Sequence, residues 1–474
     1  MYLNELFKDA PNILIEQLSC DSRLPMKNCI FFCMTGVKYD GHDYINEAVK
    51  NGANVIVYTN DIETDLNVVY IKVKDINATL ANIAKKFYKI NFENFKLNVV
   101  CGCYGKSCVT SYIKQLLNGI EKSSTIGSYG INYDDKNLSY PSSTLTLLDN
   151  YRYISDIYHS DIKSCSLETD SISLSYNRLE GINPKTFVYT NTSKFSKEYK
   201  GFSYKYFDSI KKYLYTLENT TSIVLNKDDE SYDILLQACG ENVVTYGQDL
   251  NCTFRISNPK YYIDHTSFSL TYKNESHIIN TSLIGLANIY YLTAAIATLI
   301  QSNYSLDDLI KNVETIKAPE GIYENLNIDN YNIIIDYCYA QDSYFQISEY
   351  AKKLKGYNKK YFILPIDYGT SKDEITIIFN QLKDISFLTI FTEGMSYDTD
   401  IHDLLEIGAE CANGYNYLTI ESRSEAIKTA LDLLDKNDIL FILGKGNSNV
   451  FYKNFNKEVY LGDKGTVIEY LKNR

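Results

Sequence analysis

Short, nearly continuous apolar runs alternate along this chain with stretches whose apolar positions recur every three or four residues. The first kind reads as strands buried on both faces, the second as amphipathic helices packed over them. Runs at residues 29–33, 53–58 and 68–73, with helical spacing over 44–51 and 79–88, predict a small α/β unit over residues 1–95. A larger α/β unit is expected over 96–319, with strands at 97–101, 186–191 and 222–226 and helices at 107–120 and 289–300. Ser305, with Asp308 three residues on, is read as the N-cap of a further helix. The break Ala318-Pro319-Glu320-Gly321 sets the next boundary. Residues 320–474 then alternate strands (331–337, 361–365, 387–392, 439–443) with helices (343–354, 373–382, 423–434). That rhythm predicts a doubly wound, largely parallel sheet.

Composition narrows the class of protein. A hydrophobic content of 45% and a charged content of 22% are those of a soluble globular chain. The net charge of -12 argues against a nucleic-acid partner but leaves room for an anionic ligand held by local positive charge. Eleven cysteines are scattered from Cys20 to Cys411 without a CxxC pair, and the five histidines form no HxxxH pair. Reduced thiols and no protein-built zinc site are expected. No basic-then-apolar leader opens the chain, and the apolar stretch 289–300 is shorter than the ~20 residues of a membrane span. The expectation is a cytoplasmic monomer with no membrane association.

The chemistry concentrates after the run 97–101, in Gly102-Cys103-Tyr104-Gly105-Lys106-Ser107. A strand, a glycine turn and a Lys-bearing helix make a phosphate cradle. Gly102 and Gly105 let the backbone approach a polyphosphate, Lys106 adds positive charge, and Ser107 offers a hydroxyl to magnesium. The usual loop has another glycine where Val99 stands, and the same turn also serves as ordinary strand-to-helix punctuation. Glu168, in Cys165-Ser166-Leu167-Glu168, ends a strand-like stretch, which is where such sheets hold a metal-binding acid. Read alone, it is equally a solvated loop carboxylate. Asp21-Ser22-Arg23 and Asp40-Gly41-His42-Asp43 are polar clusters beside turns, consistent with simple turn chemistry. Pro141-Ser142-Ser143-Thr144 is a hydroxyl cluster, and Gly444-Lys445-Gly446 sits at the end of a strand.

Taken in order, these clusters resemble the Mur ligase family, most closely its UDP-N-acetylmuramoyl-tripeptide synthetases, over nearly the whole chain. The phosphate loop resembles the family's G-T-N-G-K-T, which accounts for the missing glycine. Gly285-Leu-Ala-Asn288 resembles G-R-F-N, Asp336-Tyr-Cys-Tyr-Ala-Gln-Asp342 resembles D-Y-A-H-T-P-D, and Gly444-Lys-Gly446 resembles the start of G-K-G-H-E. The resemblance implies three domains, at 1–95 (uridine-nucleotide binding), 96–319 (P-loop ATPase-like) and 320–474 (Rossmann-like). It implies an ATP-dependent ligase, with Mg2+, that joins an amino acid to a UDP-sugar-peptide through an acyl phosphate. Carried over, Lys106, Glu168 and Lys211 are catalytic, the last as the family's carbamylated lysine. Gly102, Gly105, Lys106, Ser107, Asn288 and Asp336 bind nucleotide, while Ser107 and Glu168 hold the metal. Ser22, Arg23, His42, Ser143, Thr144 and Arg178 bind the acid substrate.

Departures from the pattern are specific. Ile172 replaces a metal-binding His, Phe195-Ser196 replace an Asp-His pair, and Ile322 replaces an Arg. Thr392-Glu393-Gly394-Met395 stands where diaminopimelate users carry D-N-P-R, and Ser448 replaces the Glu of G-K-G-H-E, so diaminopimelate is not expected. The same losses suit a second reading, a non-catalytic nucleotide-binding partner or regulator. A third is a ligase for a different acid.

Overall fold

The computed structural model describes every residue except 37–38, 64–65, 141–143, 204, 329–330 and 454, and the side chains of 197–198. Its first sheet is parallel throughout and runs in chain order: Gln17–Ser19, Cys29–Phe32, Ala53–Tyr58, Val69–Lys72. The helix Ile76–Phe87 turns its apolar side inward and packs on the helix Leu147–Tyr158 of the next unit.

The second sheet has eleven strands. Lys96–Cys101 lies between Thr186–Tyr189 and Ser164–Glu168, all parallel. These central strands are buried on both faces, so Leu97, Val99, Val100, Cys101, Phe187 and Val188 are fully enclosed. Each such aliphatic side chain contributes about 1.5–3 kcal/mol through burial. Antiparallel strands finish both edges, Gly130–Tyr133 with Lys136–Leu138 on one side and Phe254–Tyr261, Thr266–Tyr272 and Glu275–Thr281 on the other. The long helix Leu286–Gln301 is apolar nearly all round and lies buried beside the helix Lys106–Leu116.

The third sheet has six strands, parallel except for the edge strand Glu324–Ile328. Ile439–Leu443 is wholly buried between Tyr331–Asp336 and Lys360–Ile366. Helices Gln341–Lys353, Lys372–Leu382, Ile401–Cys411, Arg423–Leu433 and Gly462–Lys472 cover its faces, and a hairpin, Val450–Lys453 with Asn456–Val459, stands beside it.

Two local expectations need correction. The helix expected over 107–120 stops at Leu116, because Gly119 takes a left-handed conformation (φ +74°) that ends the helical path. Ser305 does stand at the N-cap of Leu306–Val313, but its hydroxyl makes no capping bond, and Asp308 pairs with Lys311 one turn on, at 2.6 Å.

Candidate active site

The phosphate loop leaves the strand Lys96–Cys101 at Gly102 (φ +136°), where a Cβ would lie 2.1 Å from the Thr190 hydroxyl. At Gly105 (φ +77°) a Cβ would lie 2.1 Å from the Tyr291 ring. Both positions therefore require glycine, for backbone angle and for space. The neighbouring strand end pins the loop. Cys103 N–H donates to the Asn191 carbonyl (2.9 Å), Tyr104 N–H to Asn191 Oδ1 (3.0 Å), and Thr190 Oγ1 to the Tyr104 carbonyl (2.7 Å). No side chain caps the start of the helix Lys106–Leu116, whose first N–H groups and positive dipole end face the loop. Lys106 Nζ donates to the Gly102 carbonyl at 2.6 Å, which lays the ammonium along the loop.

Glu168 ends its strand beneath this helix and is only 3% exposed. Three hydroxyls converge on its carboxylate, Ser107 (3.1 Å), Ser128 (2.9 Å) and Thr110 (3.4 Å). Gly127 makes room for it, since a Cβ there would fall 2.1 Å from Glu168 Oε1. Burial raises the Glu168 pKa, while the Lys106 charge and the hydroxyls of Ser128 and Ser107 pull it back down. Among the described residues no three His, Cys, Asp or Glu side chains gather to hold a metal. The donors on offer are one carboxylate and its hydroxyls, an all-oxygen set of the kind a hard divalent cation uses.

A cavity of about 380 Å³ opens between the second and third units on one side of the loop. Tyr104, Gly105, Asn191, Tyr290 and Tyr291 line it from one unit, and Ile322, Tyr323, Asp336, Tyr339 and Phe345 from the other. Four carboxylates, Asp228, Asp229, Asp336 and Asp342, face it, and no Lys, Arg or His does so among the described residues. On the other side of the loop a second cavity, about 320 Å³, is lined by Ser107, Lys114, Glu168, Glu320 and Asn447. Asp336 ends the strand Tyr331–Asp336, 4% exposed, and accepts from Tyr323 N–H (2.7 Å) and Cys338 Sγ (2.9 Å). Burial pushes its pKa up to about 6.

Other expected site residues fall elsewhere. Asn288 does not reach the wall of the cavity; it is fully buried, with Oδ1 accepting from Tyr112 (2.8 Å) and Nδ2 donating to the Ile284 carbonyl (2.9 Å). Lys211 pairs with Asp208 on its own helix, Tyr206–Thr216, at 3.7 Å, and that helix packs on Ser171–Ser175, the short helix that follows Glu168. Thr144 and Arg178 do meet, Nη1 of the arginine donating to the Thr144 carbonyl at 3.0 Å, whereas Ser143 lies outside the described residues. In the first unit, Ser22 is buried and donates to Glu47, while Arg23 is exposed and paired with Asp21. His42 Nε2 accepts from Thr59 N–H (3.1 Å), so its proton sits on Nδ1, toward Asp40. Of the departures, Ile172 and Phe195 are exposed, Ile322 lines the first cavity, and Ser196 hydrogen-bonds Cys103. Sequence reasoning missed Ser128, Tyr291 and Asp229. Only Asp229 carried a signal, the polar cluster that follows the strand Ser222–Asn226.

Residues 100–299 match the Mur ligase middle domain, and residues 14–88 the Mur ligase family catalytic domain. UDP-N-acetylmuramyl-tripeptide synthetase 2 of Oceanobacillus iheyensis is 30% identical over 446 residues, 91% of this chain and 89% of that protein. A UDP-N-acetylmuramoyl-L-alanyl-D-glutamate–2,6-diaminopimelate ligase of Fusobacterium nucleatum is 28% identical over 90% of this chain and 88% of its own. Among solved structures, a ligase of the latter name superposes with a TM-score of 0.76 at 19% identity, covering 100% of this chain and 99% of that one. The MurF ligase of Thermotoga maritima, solved with ADP, gives 0.65 at 16% identity over 90% and 93%. With a relative 30% identical over 91% of its length and family models matching residues 14–88 and 100–299, the chain belongs to the Mur ligase family.

Proposed function

We propose that this protein is an ATP-dependent ligase that joins an amino acid to a UDP-N-acetylmuramoyl-peptide in peptidoglycan precursor synthesis. The observation that carries this reading is the convergence of Ser107, Ser128 and Thr110 on buried Glu168, beside a glycine-built loop bearing Lys106. The substrate carboxylate oxygen bonds to the γ-phosphorus of ATP as the β–γ bridging bond breaks, giving an acyl phosphate and ADP. The amine nitrogen then bonds to the carbonyl carbon, the C–O bond to phosphate breaks, and the nitrogen loses a proton to solvent.

Lys106 and the uncapped N–H groups after Gly105 stabilise charge on the phosphoryl group in flight. Ser107 and Glu168 would hold Mg2+, which supplies charge neutralisation on the phosphates. The aromatic cavity receives the nucleoside, with Asp336 at its wall and Asn288 supporting that wall from inside. Gly102 and Gly105 admit the polyphosphate. Arg178 with Thr144, and Ser22, Arg23 and His42 in the first unit, contact the UDP-sugar-peptide. No described helix is long and apolar enough to cross a membrane. On this reading the ligase works as a monomer in the cytoplasm.

Calorimetry of ATP with magnesium, followed by phosphate release with UDP-N-acetylmuramoyl-dipeptide and a panel of amino acids, tests the reading. Amino-acid-dependent phosphate release is expected, slowed by about 10²–10³ in Lys106→Ala. Absence of both ATP binding and phosphate release would overturn it. Tight ATP binding without turnover on any acceptor would favour the partner or regulator that Ile172, Phe195 and Ile322 suggest.

A further inference from the structure

Two departures from the family pattern meet in space. Tyr104 stands at the Asn of G-T-N-G-K-T, and Tyr339 at the His of D-Y-A-H-T-P-D. The first lies on the phosphate loop and the second in the third unit, yet their rings contact edge to face with centroids 5.0 Å apart. Beside them Ser193, 2% exposed, is a hydrogen-bond hub. Its N–H donates to Cys103 Sγ (3.2 Å), and its Oγ accepts from Tyr104 Oη (3.3 Å) and Phe195 N–H (3.2 Å) and donates to Asp342 Oδ2. Asp342 opens the helix Gln341–Lys353 of the third unit and lines the first cavity together with Tyr104 and Tyr339.

We propose that Ser193 is a positioning residue which, with the Tyr104–Tyr339 pair, clasps the third unit onto the phosphate loop and so sets the shape of the nucleotide cavity. Its role as a nucleotide determinant rests on the reading of that cavity as the ATP site; the clasp itself does not. Ser193 acts through the residues it holds. On the loop side it fixes Cys103 and Tyr104, the two residues between the glycines, and on the other side it fixes the carboxylate at the first turn of Gln341–Lys353. An exposed ion pair, Lys200 with Glu374, ties the same two units farther out. Exposed pairs are screened and weak. Other hydrogen bonds between these units, Tyr350 Oη to the Tyr262 carbonyl and Asn325 Nδ2 to the Ile263 carbonyl (2.9 Å each), engage the 262–263 segment and not the phosphate loop, so the buried Ser193 hydroxyl is the tie at the loop itself.

The test compares full-length wild type, Ser193→Ala, Ser193→Thr, Asp342→Ala and the Ser193→Ala/Asp342→Ala double variant. One readout is the affinity for a non-hydrolysable ATP analogue. The other is amide hydrogen exchange over residues 337–342 without nucleotide. The expected result is about tenfold weaker binding and faster exchange in Ser193→Ala. Ser193→Thr, which keeps the hydroxyl, should behave as wild type, and the double variant should be no weaker than Asp342→Ala alone. Should Ser193→Ala fail to fold, Asp342→Asn, which keeps an acceptor and drops the charge, takes its place, with weaker binding and faster exchange expected. Additive losses in the double variant, or unchanged exchange and affinity in Ser193→Ala, would overturn the clasp. Wild type that fails to bind the analogue while Ser193→Ala still accelerates exchange would sink the ATP reading and leave the clasp standing.

Discussion

Burying a carboxylate is costly unless something answers its charge, and the acids of the site are answered differently. Glu168 has the Lys106 charge and a set of hydroxyl donors. Asp336 has donors alone, Tyr323 N–H and Cys338 Sγ, and its pKa rises from 3.8 to about 6. Between those two pH values the folded protein binds a proton that the unfolded chain does not, so stability falls as pH rises through the window and levels off above it. Asp336→Asn removes that penalty while keeping an acceptor for Tyr323 N–H. Its stability relative to wild type should improve by about 2–3 kcal/mol between pH 4 and pH 7. Urea unfolding of both proteins at several pH values checks this, and parallel curves would exclude it. At this scale Lys106, Ser107 and Glu168 were legible because loop and strand-end positions dictate where they point. The partners of Asn288 and Lys211, Tyr112 and the Ile284 carbonyl for one and Asp208 for the other, were not legible, because motif spacing locates a backbone position on a helix and not the direction of its side chain.

Loops and helix ends carry the next level of constraint. Gly105→Ala meets both a left-handed backbone and the Tyr291 ring, whereas Gly119→Ala meets only the backbone, since nothing lies within 4 Å of its Cβ position. The second substitution should cost about 1–2 kcal/mol and spare ATP binding. The first should cost more and abolish binding, as calorimetry with thermal unfolding of each variant will show. In the third unit, fully buried Arg423 makes two hydrogen bonds to buried Asp463 (2.7 and 2.8 Å) and one to the Leu443 carbonyl, joining two helices to a strand end. Asp463→Asn leaves an unanswered buried charge and should cost about 3–5 kcal/mol in denaturant unfolding. Arg423→Met/Asp463→Leu, which removes both charges, should cost less. Strands with a continuous apolar run were readable to the residue, as at Ser222–Asn226 and Ile439–Leu443, and so was Ala53–Tyr58, where exposed Asn54 is the one polar residue before Val55–Val57. The edge strands were not. Glu275–Thr281 alternates exposed polar side chains with few apolar ones, and only its partner Thr266–Tyr272 makes it a strand.

Across the whole molecule, one apolar core runs from the first sheet (Val55, Val57) into the second (Leu97, Phe187), the third sheet packs on cores of its own, and the units meet at surfaces formed by residues far apart in sequence. The contacts Tyr104–Tyr339 and Ser193–Asp342 span more than a hundred positions, which no local pattern reports. The order of units was legible, and the cleft between them was not. One property of that cleft has an electrostatic consequence. Its interior presents four carboxylates and no cation among the described residues, while the loop at its rim carries Lys106. The field therefore disfavours a polyanion inside the cavity and favours one at the loop. On the proposed reading of the cavity as the ATP site, the uncharged base faces these carboxylates and the phosphates face the ammonium of Lys106.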